Sequence, residues 1–548
     1  MASSISRVSQ ADTTEKRRKL ELRLGADRFS PGWLGAVVPA VVAVFAALLR
    51  FPGLSDPHAL IFDETYYAKD AYALLEAGYE LEWPEGADDV WLAEGETPQP
   101  GAAGSYVVHP PLGKWLIAIG IHLFGIEQAT GWRFAPALAG VLGTLLVALV
   151  AQRMFRSVFL GGVAGVLTAV EGHHLVMSRV ALLDIFLMLF VLAAFAALLA
   201  DRYSGRRRLA AWAAETPSDS QLWTAGPWLL WRPWRLVAGV LLGCAVAVKL
   251  SGLAFIAVFG IMVVLWDIEA RRTLGIRRWL LGGLLRDGLP AVLTVLPMAL
   301  LTYLASWTGW LLGERGWDRD AHPNPLVSLW RYHSSATDFH TGLDSEHEYA
   351  SHPWTWLFAG RPVSMHYQSR EEGEAFEHTA IGGEPAVVCP YDHCSSAVLD
   401  LPNPLIWWTG VIALLLVLLL WFGRRDFRYG AILAGWVGGF FVWLLVLMFG
   451  ENDRTMFFFY TISYHPFLIL AITAVAALVL RVGTSPVGRD GQSRPKSQII
   501  SAQQRNTVMV LCFVLLAIAV SAYFWPLWTA EIIPYEQWRQ RMWLQSWI

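Results

Sequence analysis

Apolar residues along this chain gather into long runs separated by short polar joints, and these runs set the expected architecture. Seven stand alone: Trp33 to Leu49, Phe134 to Val150, Leu289 to Trp307, Leu405 to Phe422, Tyr429 to Phe449, Met456 to Leu480 and Val508 to Trp525. Each reaches or approaches the roughly 20 residues that a helix needs to cross a bilayer. Two longer stretches, Val158 to Ala200 and Leu236 to Trp266, are interrupted by polar residues, Glu171, His173, His174, Ser178 and Arg179 in the first and Lys249 in the second. Both have arginines at each end, which places the two ends on one side of the membrane, so each reads as a hairpin of two helices. The pattern predicts an all-α polytopic membrane protein with about 11 transmembrane helices. Another apolar run, Trp115 to Gly125, is too short to cross and predicts a helix lying along the membrane surface.

Charge gives the expected sidedness. The polar segment 1–30 holds Arg7, Lys16, Arg17, Arg18, Lys19, Arg23 and Arg28, and with the alternate short loops it collects 28 of the 42 Lys and Arg on one side. Basic loops stay in the cytoplasm, which predicts a cytoplasmic N-terminus, an extracytoplasmic C-terminus and a multi-pass protein of the cell membrane. The segment is too long and polar for a cleaved signal peptide. Only 16% of residues are charged and 55% are hydrophobic, which excludes a soluble enzyme and leaves no basic surface for nucleic acid. Residues 31–548 form the membrane domain, and two loops on the outer side are long enough to fold, 52–132 and 308–404. The second is rich in Trp, His, Tyr and Pro and is expected to pack over the first. Its Cys389 and Cys394 predict a local disulfide ahead of a zinc site with His393. Cys244 and Cys512 fall inside apolar runs.

The candidate chemistry centres on Ile61-Phe62-Asp63-Glu64-Thr65-Tyr66-Tyr67, about a dozen residues beyond the first span. Adjacent acids are ordinary on a solvated turn. Here they are expected at the membrane surface, where a carboxylate meets both a lipid-linked donor and a water-borne acceptor. A glycosyl phosphate donor needs no general acid, because phosphate leaves without a full proton, so one base for the incoming hydroxyl suffices. Asp63 is the base candidate, with Glu64 as its neighbour, orienting either the base or the acceptor. A divalent cation on the pair is less favoured, because hard metals want more oxygens than two neighbouring side chains supply. Lys114, Arg133, Arg179, Lys249 and Arg454 lie at expected outer helix ends and could hold a leaving phosphate, although such cations also snorkel. Asp184 could serve function or pair with Arg179. His109 is a further candidate, and His173 and His174 are expected in a loop. A transporter is disfavoured, because the charges gather at helix ends and no internal repeat is visible.

Five motifs then carry a resemblance: Phe62-Asp63-Glu64-Thr65-Tyr66-Tyr67-Ala68, His109-Pro110-Pro111-Leu112-Gly113-Lys114, Trp132-Arg133-Phe134-Ala135-Pro136-Ala137, Ser178-Arg179-Val180-Ala181-Leu182-Leu183-Asp184 and Lys249-Leu250-Ser251-Gly252. In that order they resemble the protein O-mannosyltransferases, most closely the actinobacterial members, with a looser match at Arg454-Thr455-Met456-Phe457-Phe458-Phe459-Tyr460. The resemblance implies a GT-C fold, a polyprenyl-phosphate mannose donor, Ser or Thr acceptors on secreted polypeptides, inversion to an α-mannoside, and neither an essential metal nor another cofactor. It also implies Asp63 as catalytic base, Glu64 as its partner and Arg133 as a residue needed for activity or donor geometry. The 308–404 loop is too short for the MIR domain that eukaryotic members carry there. A relative that moves another lipid-linked sugar, or uses a lipid acceptor, would share this topology.

Overall fold

The computed structural model describes residues 2–92, 99–342, 346–377, 386–449, 454–480 and 496–548. The basic segment 481–495 and part of the Pro/Gly-rich stretch of the first loop therefore lie outside the described residues.

Among the described residues seven helices are long and apolar enough to cross a membrane: Ala129–Phe155, Asp184–Glu215, Gly252–Leu274, Trp279–Ser306, Pro404–Arg424, Phe427–Phe449 and Ala502–Leu527. The other four expected spans are shorter helices, Leu34–Arg50, Val158–Val170, Pro233–Val248 and His465–Val479. Three of them are short for a common reason. Their loop-side turns give way to broken, largely buried backbone at 171–183, which holds the short helix Gly172–Met177, at 249–251 and at 454–464. Non-helical backbone survives at such a level only when protein supplies its hydrogen bonds. Lys249 is extended (φ −153°, ψ 132°) and caps one helix, while Gly252 opens the next. A Cβ on Gly252 would meet the backbone of Ala245 and Val246 at 2.8 Å, so the break needs glycine there. Phe458–Ser463 forms a 3₁₀ segment, and Pro466, in the first turn of His465–Val479, presets the helix start.

The end of the bundle away from the long loops is pinned by buried ion pairs. Arg232 and Arg235 both contact Asp201, at 2.5 and 3.0 Å, and Arg271 contacts Asp287 at 2.5 Å. These tie four consecutive spans together, and their multiple hydrogen bonds offset the cost of burying charge. An N-terminal helix, Ala2–Arg23, lies against the same end, with the Lys16 ammonium donating to the Ala214 carbonyl at 3.2 Å.

At the opposite end the two long loops fold together. The second holds the helices Thr308–Leu312, Pro325–Gly342 and Pro353–Trp356 and two strands, β1 (Val363–Glu371) and β2 (His393–Asp400). With β3 (Ile533–Pro534) from the C-terminal segment they make a small antiparallel sheet in the order β1-β2-β3, an addition to the expected helices. Cys389 and Cys394 are joined in a disulfide. The expected packing of second loop over first is present. Tyr332 accepts from the Val107 backbone N–H at 3.0 Å and donates to its carbonyl at 2.8 Å, and Tyr106 packs on Trp317 with ring centroids 4.5 Å apart. The short apolar run forms the helix Leu112–Phe124.

Candidate active site

Asp63 sits at the N-terminus of the helix Glu64–Ala77, and the residue before it has an unusual backbone. Phe62 adopts φ 51°, in the left-handed region, at a cost of about 1 to 3 kcal/mol for a bulky residue. Its ring is clamped edge-on by three others, His347, Phe457 and Phe459, at 6.0, 5.9 and 5.7 Å. Aromatic pairs of this geometry contribute about 0.5 to 1.5 kcal/mol each, enough to offset the strain.

Glu64 is the anchor of the turn. Its carboxylate is fully buried and accepts four hydrogen bonds: from Arg133 Nε and Nη2, both at 2.8 Å, from the Ala181 N–H at 2.8 Å and from the Ile61 N–H at 3.0 Å. Arg133 gives its other N–H groups to the carbonyls of Leu54, Pro57 and Ala59. The acid therefore faces inward and has no lone pair left for an acceptor, contrary to the place the sequence reading gave it.

Asp63 has the opposite surroundings. It is half-buried, next to the Tyr67 hydroxyl and acted on by Lys249 and Asp184. Burial pushes its carboxyl up to about 6; Asp184 pushes the same way, while Lys249 and the Tyr67 hydroxyl pull it down. The Lys249 ammonium donates to both oxygens of Asp184 at 2.9 Å and lies 4.4 Å from the centre of the Tyr460 ring. Arg454 lies beside the Tyr460 hydroxyl, and its Nη2 lies 3.3 Å from His340 Nδ1. His109 completes this side: its ring lies 6.2 Å from Tyr67 and 5.7 Å from His340, and burial with Lys249 and His340 nearby holds it well below the usual imidazole range.

The five candidate cations thus separate into two groups. Lys249 and Arg454 belong to the surroundings of Asp63. The other three are engaged elsewhere: Arg133 with Glu64, Lys114 in ion pairs with Glu80 and with Asp70 at 3.5 Å, and Arg179 with the carbonyls of Arg50, Pro52 and Gly53 at 2.7, 2.8 and 2.5 Å. Asp184 pairs with Lys249, and the pairing with Arg179 is not formed, because Arg179 turns towards the end of the first span. His173 and His174 are fully buried rather than in a loop. His173 links Asp400, at 2.6 Å, to Thr461, at 3.0 Å, and Glu171 accepts from the backbone N–H groups of His174 and Asn403. This network supplies the irregular segment 171–183 with the partners it needs at that depth. Among the described residues no group of three metal-ligating side chains occurs.

Sequence reasoning missed Tyr67, Tyr460 and His340. Tyr67 had a signal, since four residues separate it from Asp63 at the head of a helix. His340 had none, because a distant loop brings it in. One cavity borders the site, and another runs through the helices beneath it towards Arg235. The second, of about 470 Å³, is almost wholly apolar and runs along Gly252–Leu274 from Ile256 to Ile268, facing Val292 and Val295. The first, of about 750 Å³, is more polar, with Glu346, His347, Glu348, His352 and Arg454 beside Leu447 and Met456.

The chain is 34% identical over 534 residues to the polyprenol-phosphate-mannose–protein mannosyltransferase of Mycobacterium tuberculosis, covering 94% of this chain and 92% of that one. The same-named protein of Mycolicibacterium smegmatis is 35% identical over 540 residues, covering 94% and 93%, and that of Corynebacterium glutamicum 31% over 539, covering 93% and 92%. The chain belongs to the protein O-mannosyltransferase family. Family models agree, matching residues 104–312 as dolichyl-phosphate-mannose-protein mannosyltransferase and 325–547 as the C-terminal four-transmembrane region of protein O-mannosyltransferase. The fold is that of the Saccharomyces cerevisiae protein O-mannosyltransferase Pmt1-Pmt2 complex bound to the sugar donor, with a TM-score of 0.65 at 14% identity over 96% of this chain and 94% of that one. With its seven long apolar helices and the matched four-transmembrane region, the chain is a multi-pass membrane protein.

Proposed function

We propose that this protein transfers mannose from polyprenyl-phosphate mannose to Ser or Thr hydroxyls of secreted polypeptides, at the outer face of the cell membrane, with its N-terminus in the cytoplasm and its C-terminus outside. The observation that carries the proposal is the unequal treatment of two adjacent acids: Glu64 is locked among four donors, while Asp63 is presented with a carboxyl near 6. A base poised near the working pH exists largely as carboxylate and is still basic enough to take a hydroxyl proton.

In the proposed reaction the acceptor oxygen attacks the anomeric carbon of mannose as Asp63 removes the hydroxyl proton. The bond from that carbon to the phosphate oxygen breaks, its electron pair leaves with the polyprenyl phosphate, and attack from the opposite face inverts a β-linked donor to an α-mannoside. Lys249 and Arg454 stabilise the charge on the departing phosphate without having to reorganise. Asp184 holds the Lys249 ammonium in place, and Arg133 acts through Glu64 as a positioning residue. The apolar cavity beside Gly252–Leu274 supports a place for the prenyl chain, and the polar cavity supports the approach of the acceptor, since His347 packs on Phe62 next to the base. The test is transfer of radiolabelled mannose from polyprenyl-phosphate mannose to a Ser/Thr peptide in membranes holding either the wild type or Asp63→Asn. The wild type is expected to transfer and the variant to be at least 1,000-fold slower. Substantial transfer by Asp63→Asn would remove the base assignment.

A further inference from the structure

Arg454 is held in an unusual way for a half-buried arginine. Among the described residues no carboxylate pairs with it. Among the described residues the groups it contacts are neutral: His340 Nδ1 at 3.3 Å, the Tyr460 side chain and the face of Trp443, 5.6 Å from the guanidinium carbon to the ring centre. Its Nε is buried and has no hydrogen-bond partner. An arginine fork kept in place by neutral groups, with a donor left over, retains its full charge for an incoming anion.

His340 is the part of this arrangement that comes from farthest away. It lies in the last turn of the helix Pro325–Gly342, in the second loop. Its ring reaches across to the first loop, lying by the Val108 backbone and packing on His109 at 5.7 Å. We propose that His340 is a positioning residue of the transfer reaction: it aims the Arg454 guanidinium at the donor phosphate and thereby couples closure of the second loop over the first to the assembly of that phosphate site. The inference rests on the reading of Arg454 as a phosphate ligand. Burial, with Arg454 beside it, lowers His340 to about 4, so the ring is neutral at working pH and Nδ1 is free to accept from the arginine. Nothing about His340 requires contact with mannose or with the attacking hydroxyl.

Two variants test this. His340→Ala removes the acceptor, whereas His340→Asn offers a carbonyl oxygen close to where Nδ1 stands. With purified enzyme in lipid nanodiscs, His340→Ala is expected to raise KM for polyprenyl-phosphate mannose about tenfold while leaving KM for the peptide within twofold. His340→Asn should regain most of the loss, and in an Arg454→Ala background His340→Ala should add little. A polyprenyl monophosphate without sugar should raise the Tm of the wild type and of His340→Asn, and raise that of His340→Ala much less. Equal rises in both KM values, additive effects of the two substitutions, or a loss that asparagine does not restore would overturn the inference. Should the Tm pattern hold while the wild type transfers no mannose, the phosphate site stands and the mannosyl-transfer reading falls. Transfer by the wild type with an unchanged donor KM in His340→Ala removes the inference alone.

Discussion

Arg133 and Glu64 meet through two parallel bonds of 2.8 Å in a site from which water is excluded, and between them they account for all five N–H groups of the arginine and four contacts of the carboxylate. The pair fixes the backbone from Leu54 to Glu64 against the helix that carries Arg133. Removing one partner strands a buried charge, at a cost of about 3 to 5 kcal/mol. Arg133→Ala and Arg133→Lys should both lower the thermal unfolding midpoint of the detergent-solubilised protein together with its activity, because lysine cannot reproduce the planar fork. An inactive Arg133→Lys with an unchanged midpoint would show direct contact with substrate instead.

Asp63 should behave in the reverse way. A carboxyl whose folded pKa is raised from its ordinary value to about 6 binds its proton more tightly in the folded state. Stability therefore falls as pH rises from about 4 to about 6, and above that the full cost is present, up to about 3 kcal/mol. Asp63→Asn should abolish transfer and yet raise the unfolding midpoint at pH 7.5, with the gain vanishing near pH 4. A destabilised Asp63→Asn would mean that the ionised carboxylate holds the fold together.

The same acid gives the pH dependence of the reaction. In the proposed reaction the base must be ionised, so kcat/KM is expected to drop as pH falls through about 6 and to level off above it. Asp184 contributes to the raised value, and its removal also frees Lys249 to act on Asp63. Asp184→Asn should accordingly move the acid limb of the pH profile downward by about 0.5 to 1 unit. A limb that stays in place or moves upward would separate Asp184 from the base.

The polar cavity carries two exposed carboxylates, Glu346 and Glu348, with His347 and His352. At such a mouth like charges repel an incoming chain, an effect weakened by salt. Peptides with Lys next to the acceptor Thr should be mannosylated about 3- to 10-fold faster, in kcat/KM, than matched peptides with Glu. The double substitution Glu346→Gln and Glu348→Gln should bring the two peptides together. Discrimination that survives those substitutions would place the acceptor elsewhere.

Much of the fold could be read from the chain because membrane helices announce themselves by length and hydrophobicity. The interruptions were as informative as the runs: Glu171 and Lys249 mark the places where helices stop and the site begins. The sheet escaped notice because β1, with Ser364 and Tyr367 among its residues, is only partly alternating, and because its third strand comes from the far end of the chain. At the site, Asp63 was visible from its motif. The five cations could not be sorted by position alone, since what distinguishes Arg133 and Arg179 from Lys249 is which carbonyls and carboxylates reach them after folding. His173 and His174 read as polar loop residues because their partners, Asp400 and Thr461, belong to distant parts of the sequence.

The left-handed backbone of Phe62 has a bearing on how the enzyme is made. Asp63 leaves the ribosome early, but the rings that hold its neighbour in that conformation, His347, Phe457 and Phe459, come from the second loop and the approach to the tenth apolar helix. Until those segments are synthesised and in place, nothing sustains the turn that presents the base. With Asp63 as the proposed base, a chain that holds only the acid motif is expected to be inert, and transfer to begin only once the second loop and residues 457–459 are in place.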